Sequence, residues 1–481
     1  MNDTDTKNFE MFIDGRFTQG SSSDRMPVEN PADERVIATV SMGTQDDAFE
    51  ALDAASKAKR GWANLPPIER ATLVRKLATA IRRDSSQLAT TIVMEQGKPL
   101  DQAEGEVAAT ATFLEFAAEQ ARRIEGELLI SDKPNEDIWI RRAPHGVVVA
   151  LTAWNYPLAL AGRKIGPALV AGNTVVLKGH EITPLSGLEI ARLAAEVGFP
   201  NGVLNVITGG GRDVGEALVK SPLTNLLTMT GSVRAGKEIY AAAAQDLKVL
   251  RLELGGNAPF IVMGDADIER AVSAAIVSRF TNCGQICTCA ERIYVHSSVF
   301  EEFTDRFVRA AKALRLDDPM LSPDMGPKIS AAELEKVERL VAASVSQGAE
   351  IVTGGKRAEA FGSGHWYEPT VMLAKTNCDV VSNEVFGPVA PIVSFGDLDE
   401  VVAAANSTEF GLSAYLFTNN MRNTMRTIGA LEFGEIYVNR GCGELVQGFH
   451  NGWKHSGLGG EDGKHGFEGY QRKQTVYLDW S

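Results

Sequence analysis

Apolar residues recur three and four positions apart in two early segments of the chain, 45–62 and 67–83. This spacing places the apolar side chains on one face of a helix, so both segments are predicted to be amphipathic helices. Pro67 stands at the start of the second segment, where a helix tolerates a missing N–H.

From residue 146 the pattern changes to short apolar runs that alternate with helix-like segments. The expected elements are strand 147–151, helix 157–170, strand 174–178, helix 184–197, strand 203–207 and strand 226–229. A second series contains strand 292–295, helix 299–314 and strands 390–395, 414–417 and 435–438. Such alternation is typical of βαβ units, so the chain is predicted to be an α/β protein with two parallel sheets.

Two further segments, 126–131 and 138–142, can pair as a β-hairpin. The C-terminal segment 474–479 also has the composition of a strand. A single strand at the end of a chain often joins a neighbouring sheet, so these segments suggest a small separate β-arm.

Length and composition exclude several classes of protein. With 481 residues and 44% hydrophobic residues, the chain can form two or three domains with large cores. Its net charge of −14 disfavours binding to nucleic acid. No apolar run is long enough to span a bilayer, and the N-terminus lacks the features of a signal peptide. Five cysteines, an odd number, indicate reduced thiols, so a cytoplasmic location is expected.

Cys287 is the first candidate for chemistry. It lies in the segment Asn282-Cys283-Gly284-Gln285-Ile286-Cys287-Thr288-Cys289. A cysteine after a glycine-containing turn at a helix end can have a lowered pKa and act as a nucleophile. The alternative is a cysteine that is simply buried. A metal site is not expected, because no second cysteine pair or spaced histidine pair could complete four ligands.

Glu253 and Asn155 are candidates for acid–base and oxyanion chemistry. Glu253 ends an apolar run and precedes Gly255-Gly256, a setting that suits a general base, although a surface glutamate at a strand end is the alternative. Asn155 lies between a strand and a helix, where its amide can donate to an oxyanion or cap the helix.

Weaker signals indicate a site for phosphate and ribose groups. Gly231 and Ser232 lie between a strand and a helix, where backbone N–H groups can bind a pyrophosphate. The usual dinucleotide fingerprint G-x-G-x-x-G is absent, and the glycines around Gly211 have a different spacing. Lys178 and Glu181 follow another strand and can reach a ribose hydroxyl.

Taken together, these segments resemble the aldehyde dehydrogenase superfamily over essentially the whole chain. Six stretches carry the resemblance in the same order, namely 153–157, 178–181, 230–232, 252–256, 284–287 and 384–388. It implies a Rossmann-like NAD-binding domain (1–122 and 144–254), an α/β catalytic domain (255–455) and a small β oligomerisation arm (123–143 and 468–481). A homotetramer or homodimer is expected from the arm.

The resemblance also implies residue roles. Cys287 matches the nucleophile, Glu253 the general base and Asn155 the oxyanion donor. The residues that match cofactor-binding positions are Trp154, Lys178, Glu181, Gly211, Gly231, Ser232, Glu384 and Phe386. A carboxylate such as that of Glu181 binds a 2′-hydroxyl and repels a 2′-phosphate, which favours NAD, although a protonated His180 would leave NADP possible.

Within the superfamily, the chain is most similar to bacterial lactaldehyde and glycolaldehyde dehydrogenases. The stretches 287–292, 447–453 and 459–466 carry this similarity. It implies a substrate pocket that contains Arg163, Thr288, Glu444 and His450 and takes a small hydroxylated aldehyde. Thr288 and Lys336 replace an Asn and an Arg of that group, so another aldehyde, either sugar-derived or a semialdehyde, is the alternative.

Three rival functions are weaker. An acylating dehydrogenase would not need Glu253, which suits hydrolysis of a thioester by water. A thiol hydrolase needs a histidine beside Cys287, and no histidine is adjacent to it in the sequence. A binding protein without activity on the same fold is disfavoured because Cys287, Glu253 and Asn155 are all present.

Overall fold

The computed structural model describes residues 7–481. Residues 1–6 lie outside this range, and with them the polar start of the chain and the beginning of the predicted cofactor-binding domain. Across residues 7–481, no helix combines the length and the apolar character needed to cross a membrane.

The N-terminal part of the chain contains short strands, four long helices and a hairpin. These elements are β1 (Lys7–Phe9), β2 (Met11–Ile13), β3 (Arg16–Thr18), β4 (Arg25–Glu29), β5 (Val36–Ser41), α1 (Gln45–Asn64), α2 (Pro67–Arg83), α3 (Ser85–Gln96), α4 (Leu100–Glu119), β6 (Glu127–Ile130) and β7 (Glu136–Pro144). Both predicted amphipathic helices are confirmed as α1 and α2. Thr44 and Asp47 form a capping box that fixes the start of α1.

A first α/β series follows. Its elements are β8 (Val147–Leu151), α5 (Pro157–Val170), β9 (Thr174–Lys178), α6 (Leu185–Val197), β10 (Leu204–Ile207), α7 (Glu216–Lys220), β11 (Leu226–Thr230), α8 (Val233–Ala243) and β12 (Val249–Glu253). The five strands are parallel and lie in the order β12-β11-β8-β9-β10, which confirms the predicted parallel sheet. The hairpin β2-β3 extends this sheet beyond β10.

The order of these strands creates a crevice. The chain runs from β8 outward through β9 and β10, and then returns to the other side of β8 with β11 and β12. The connections after β8 and β11 therefore leave in opposite directions. Such a reversal point, at the carboxyl ends of parallel strands, is where α/β sheets bind ligands.

The second α/β series is longer. Its elements are β13 (Ala258–Val262), α9 (Ile268–Phe280), β14 (Ala290–His296), α10 (Phe300–Ala313), α11 (Ala331–Ser346), β15 (Glu350–Thr353), β16 (Thr370–Leu373), α12 (Asp379–Ser382), β17 (Val389–Phe395), α13 (Leu398–Asn406), β18 (Ser413–Phe417), α14 (Met421–Ala430) and β19 (Glu435–Val438). The sheet order is β15-β16-β17-β14-β13-β18-β19, and only β15, at the edge, pairs antiparallel in this sheet of the described chain. The predicted second α/β unit is confirmed.

The C-terminal segment returns to the earlier parts of the chain. It contains β20 (Gly457–Leu458), α15 (Gly463–Glu468) and β21 (Gln471–Asp479). β20 pairs antiparallel with β12, and β21 pairs antiparallel with β7 to complete a three-stranded sheet with β6. The predicted hairpin and C-terminal strand are therefore confirmed, while the residue limits of the domains stay a prediction.

A buried charge cluster attaches the C-terminal segment to α5. Lys164, on α5, pairs with Glu461, and both side chains are almost fully buried. The neighbouring Arg163 donates from Nε to both carboxylate oxygens of Asp462, at 3.0 and 2.9 Å. Burial alone would raise the pKa of Glu461, but Lys164 and Arg163 outweigh it and lower this pKa to about 2.

Replacement of Lys164 by Met should destabilise the protein by about 3–5 kcal/mol, because the charge of Glu461 is then buried without its partner. The apparent free energy of unfolding in urea measures this effect. The matched control is Lys220→Met, which breaks an exposed pair with Glu216 and should cost less than about 1 kcal/mol. Equal effects of the two variants would contradict the role of the buried pair.

Candidate active site

Three of the predicted chemical residues come from separate elements that meet at the edge of the first sheet. Asn155 follows β8, Glu253 is the last residue of β12, and Cys287 lies in the loop between α9 and β14. Asn155 is 5% exposed and Glu253 3%. Glu253 is therefore not a surface glutamate. Cys287 is partly exposed, whereas Cys283 and Cys289 are buried.

The loop before Cys287 has an unusual backbone. Asn282, Cys283 and Gly284 all have positive φ angles, of 50°, 56° and 71°. Two consecutive non-glycine residues in this region store conformational strain. Several hydrogen bonds hold the loop in place: Gln285 Nε2 donates to Asn282 O at 3.0 Å, and Arg279 donates to the carbonyl oxygens of Gly284 and Gly387.

Asn155 is fixed to this loop. Its Nδ2 donates to the backbone oxygen of Gln285 at 3.0 Å, and its own backbone oxygen accepts from Asn282 Nδ2 at 3.1 Å. The helix α5 is capped at Tyr156, without a side-chain cap bond. The alternative reading of Asn155 as a helix cap is therefore wrong. One amide hydrogen of Asn155 orients the side chain, and the other is left for a ligand.

The glycine pair after Glu253 permits close approach to the nucleophile loop. A Cβ atom at Gly256 would overlap the backbone carbonyl oxygen of Cys287, so only glycine fits there. The Gly256 N–H also donates to Glu384 Oε1 at 2.8 Å. This contact places Glu384, which precedes β17, beside the end of β12.

His450 lies at the centre of the site. A sulfur atom of Cys287, a carboxylate oxygen of Glu253 and a ring nitrogen of His450 all lie within 4.8 Å of one another. His450 Nε2 is 3.4 Å from Glu253 Oε1, although the two residues are 197 positions apart. No histidine is adjacent to Cys287 in the sequence, yet the fold places His450 beside it.

The other ring nitrogen of His450 faces two more carboxylates. Nδ1 lies 3.1 Å from Glu435 Oε2 and 3.7 Å from Glu444 Oε1. Nδ1 nevertheless has no hydrogen-bond partner within residues 7–481. Burial and Arg163 act to lower the pKa of His450, but Cys287, Glu253 and Glu435 outweigh them and raise this pKa well above its usual value.

The pKa of Cys287 is raised to about 12, first because of burial and then because of the charge of Glu253, while His450 acts in the opposite direction. The expectation of a lowered pKa is wrong for the free protein. The loop also follows the C-terminal end of α9, so the N-terminus of that helix does not point at the sulfur.

The remaining residues of the predicted substrate pocket differ in whether their polar atoms are available to bind a substrate. Glu444 is partly exposed beside His450. Arg163 is 8% exposed and is held by Asp462. Thr288 is 1% exposed, and its backbone oxygen accepts from Tyr415 Oη at 2.5 Å. Glu444 and His450 are thus the pocket residues with polar atoms left for a substrate.

The ribose candidates lie together after β9. Lys178 Nζ is 4.0 Å from Glu181 Oε2, and Glu181 is exposed while Lys178 is buried. His180 Nδ1 accepts from the backbone N–H of Ile182 at 3.2 Å. Burial lowers the pKa of His180 to about 4, so this ring is neutral near pH 7 and adds no positive charge for a 2′-phosphate.

The residues after β11 fit a dinucleotide. Ser232 caps α8 by accepting from Ala235 N at 3.2 Å, and the Gly231 N–H donates to the backbone oxygen of Glu253 at 3.0 Å. Thr230 Oγ1 is buried and, among the described residues, has no hydrogen-bond partner. An unpaired hydroxyl beside a free helix N-terminus suits a polar, anionic ligand. Gly211 lies apart, at an exposed turn after β10.

Two aromatic residues, Trp154 and Phe386, contact each other near this crevice. The rings of Trp154 and Phe386 meet edge to face, with centroids 5.3 Å apart. Phe386 has a positive φ of 53°, and its backbone oxygen accepts from Lys328 Nζ. Burial raises the pKa of Glu384 to about 7, although Lys336 and the Gly256 N–H act in the opposite direction. The cofactor candidates Trp154, Glu384 and Phe386 thus lie in one region.

Sequence reasoning missed two contributors. The buried Lys98 donates to Glu106 Oε2 at 2.6 Å and to the backbone oxygen of Asn155 at 2.8 Å, and Glu106 Oε1 accepts from the first N–H groups of α5. Glu435, beside His450, is the second. A Gly-Lys-Pro turn and a glutamate at the start of a strand carry no sequence signal strong enough to reveal these contacts.

The chain matches the family model described as "Aldehyde dehydrogenase family" over residues 17–476. It is 48% identical to 3,6-anhydro-alpha-L-galactose dehydrogenase of Vibrio sp. (strain EJY3), covering 98% of this chain and 100% of that protein. It is 44% identical to lactaldehyde dehydrogenase of Escherichia coli (strain K12), covering 97% of this chain and 98% of that protein. Among solved structures, 3,6-anhydro-L-galactose dehydrogenase in complex with NAP (NADP) aligns with a TM-score of 0.96 and 49% identity, covering 98% of this chain and 100% of that chain.

Alkylation of Cys287 by iodoacetamide, without cofactor, should become about tenfold faster for each pH unit between 7 and 9. The thiolate is the reactive form, and a pKa of about 12 leaves the thiol protonated throughout this range, so the thiolate fraction keeps rising. Mass spectrometry of the Cys287 peptide measures the rate, and Cys287→Ala identifies the signal. A plateau above pH 7 would show that the thiol is already ionised there.

Proposed function

The chain belongs to the aldehyde dehydrogenase family and is an NAD(P)-dependent aldehyde dehydrogenase, and we propose that it oxidises a small 2-hydroxyaldehyde to the carboxylic acid. The observation that carries this proposal is the cluster of Cys287, Glu253 and His450, whose reactive atoms lie within 4.8 Å of one another. Glu435 and Glu444 add polar groups on the far side of His450.

In the proposed mechanism, Cys287 loses its proton to the adjacent carboxylate of Glu253 and attacks the carbonyl carbon of the aldehyde. Negative charge then develops on the carbonyl oxygen. The free amide hydrogen of Asn155 and the Cys287 backbone N–H stabilise this oxyanion, and one such donor is worth about 3–4 kcal/mol. A nicotinamide held beside Glu384, Trp154 and Phe386 would supply the redox chemistry, as the acceptor of a hydride from the substrate carbon.

The product of oxidation is a thioester on Cys287, which water must hydrolyse. Glu253 first passes the proton that it took from Cys287 to solvent. As a carboxylate again, it is placed to remove a proton from that water, and one of its oxygens, Oε2, is buried without a hydrogen-bond partner in the described part of the chain. Hydrolysis releases the acid and returns the thiol. A general base at this position supports a non-acylating enzyme rather than transfer of the acyl group to coenzyme A.

The roles of the cofactor residues follow from the crevice. Ser232 and the N-terminus of α8 would hold the pyrophosphate, Lys178 and Glu181 the adenosine ribose, and Glu384 the nicotinamide ribose. Trp154 and Phe386 would shield the ring from water. Gly231 follows β11, at a position where a Cβ atom would overlap the Met229 side chain. The exposed Gly211 is the weakest member of the predicted set.

A hydroxyl group next to the carbonyl is the feature that we assign to the substrate. Glu444 can accept a hydrogen bond from such a hydroxyl, and the charged ring of His450 can donate one. An apolar aldehyde would leave the buried ring of His450 and the partly exposed carboxylate of Glu444 without these bonds. Lactaldehyde and the open form of a sugar-derived aldehyde both carry this hydroxyl, and relatives named for each kind are 44% and 48% identical to this chain.

The first test is the formation of reduced cofactor, followed by absorbance, across a panel of aldehydes. We expect lactaldehyde, glycolaldehyde or 3,6-anhydrogalactose to exceed succinic semialdehyde, benzaldehyde and hexanal by about tenfold or more in kcat/KM. We also expect Cys287→Ala to be inactive and Asn155→Ala to lose about 10²–10³ in kcat. Preference for succinic semialdehyde or hexanal would disprove the assigned substrate class, and full activity of Cys287→Ala would disprove the mechanism.

Within the small hydroxylated class, size separates the two candidates. If lactaldehyde and glycolaldehyde have the highest kcat/KM, the small substrate is supported. If 3,6-anhydrogalactose does, the sugar-derived alternative replaces it. Neither outcome alters the roles of Cys287, Glu253 and Asn155.

We expect NAD to be preferred over NADP, because the exposed carboxylate of Glu181 repels a 2′-phosphate and the neutral His180 does not offset it. Glu181→Gln should therefore raise kcat/KM for NADP by about tenfold, which corresponds to about 1.4 kcal/mol. The control is Glu302→Gln, an exposed carboxylate on α10, which should leave the NADP to NAD ratio unchanged. No change with Glu181→Gln would contradict this role.

The small sheet β21-β7-β6 is expected to join copies of the chain. It exposes several large apolar side chains, namely Leu128, Leu129, Ile130, Trp139, Tyr477 and Trp480. Ile130→Asp should therefore lower the molar mass measured by light scattering, whereas Met421→Asp, at an exposed apolar position on α14, should not. An unchanged mass for Ile130→Asp would contradict a tetramer or dimer built through this arm.

A further inference from the structure

We propose that the side chains of Cys287, Glu253 and His450 form a binding site for a thiophilic divalent cation, with Zn²⁺ as the representative ion. One sulfur, one carboxylate oxygen and one imidazole nitrogen lie within 4.8 Å of one another in this cluster. These are the three ligand types that zinc accepts from proteins. This proposal departs from the sequence-based expectation that the chain has no metal site.

The geometry requires only small movements of the side chains. Ligand atoms around a tetrahedral zinc lie about 3.4–3.6 Å apart, given bond lengths of about 2.0–2.3 Å. His450 Nε2 and Glu253 Oε1 are already 3.4 Å apart. The sulfur lies within 4.8 Å of these two atoms, so it has to move closer by at most about 1.4 Å, which a rotation about χ1 of Cys287 can supply.

Two observations indicate that the cluster is ready for a ligand. Glu253 is 3% exposed, and its Oε2 atom has no hydrogen-bond partner within the described residues. A buried carboxylate oxygen in this state gains an interaction when a cation arrives. Cys287 is partly exposed as a residue, and a water molecule can complete four ligands.

Zinc binding displaces the protons of Cys287 and His450 and leaves the metal-bound thiolate unable to attack an aldehyde. The site is therefore expected to inhibit the enzyme reversibly. This inhibitory consequence rests on the proposed function of Cys287 and Glu253, whereas binding itself does not.

The test begins with binding, so that its outcome does not depend on activity. Full-length enzyme without cofactor is titrated with zinc chloride by calorimetry at pH 8, and Cys287 alkylation is followed in parallel. We expect one tight ion per chain and protection of Cys287. We also expect Cys287→Ala, Glu253→Gln and His450→Gln to lose affinity by at least about tenfold, since even a lost outer-shell partner costs about 10–100-fold. The three variants each remove one ligand of the same site. If one of them does not fold, the other two still test the proposal.

Two sets of variants exclude other locations for the ion. His455→Gln removes an exposed histidine that lies 2.7 Å from Glu409 and should leave affinity unchanged. Glu435→Gln and Glu444→Gln remove the carboxylates that face Nδ1 of His450, which form a second possible cluster. If these two variants lose the ion while Cys287→Ala keeps it, the proposal is overturned. Failure of Zn²⁺ to bind, or to protect Cys287, also overturns it.

Inhibition is measured last. Zinc should abolish formation of reduced cofactor at the concentration that saturates binding, and EDTA should restore it. If zinc binds and protects Cys287 but activity persists, the inhibitory role is wrong and the proposed role of Cys287 is in question, while the metal site stands.

Discussion

The hydrogen bonds between Asn155 and the loop that carries Cys287 are the contact on which the site depends. Asn155 follows the central strand of the first sheet, whereas the loop precedes a strand of the second sheet. The two bonds, from Asn155 Nδ2 to Gln285 O and from Asn282 Nδ2 to Asn155 O, therefore connect the two sheets where the chemistry takes place. Lys98 adds a third contact to the same carbonyl, and its partner Glu106 caps α5. Because these polar groups are buried, loss of any one of them would remove a hydrogen bond that water cannot readily replace.

The same connection explains why strained backbone persists beside the nucleophile. Positive φ angles at Asn282 and Cys283 cost about 1–3 kcal/mol each, and they are retained only where surrounding contacts determine the backbone. Those contacts are present: Arg279 binds the carbonyl oxygens of Gly284 and Gly387, and Gly256 lets β12 approach Cys287 closely. The strain directs the thiol toward Glu253 and His450. A relaxed helical continuation of α9 would direct it elsewhere.

Much of the fold follows from local pattern, and much of the site does not. The strands at 147–151 and 174–178 are buried on both faces, so their apolar runs are continuous and their bounds could be predicted to the residue. The strands between residues 7 and 41 have only three to six residues and are held by partners elsewhere, so no periodic signal marks them. The sequence could identify the candidate catalytic residues Cys287, Glu253 and Asn155, because each lies in a stretch that resembles the family. The contact between His450 and Glu253 could not be predicted, because tertiary folding alone brings together two residues that are 197 positions apart.

His450 also shows why a sequence motif does not determine the electrostatics of a site. A thiol in a glycine-containing turn suggested a reactive, low-pKa cysteine, yet burial and Glu253 raise the pKa of Cys287 to about 12 in the free protein. The pKa values of Cys287 and His450 are both raised, so the sulfur and the imidazole keep their protons until a ligand arrives. A polarised aldehyde or a divalent cation would each favour loss of the Cys287 proton. The aldehyde accepts the electron pair of the thiolate into a new bond, and the cation coordinates the thiolate. Inhibition by a divalent cation would thus follow from the same arrangement of Cys287, Glu253 and His450 that binds and activates the substrate.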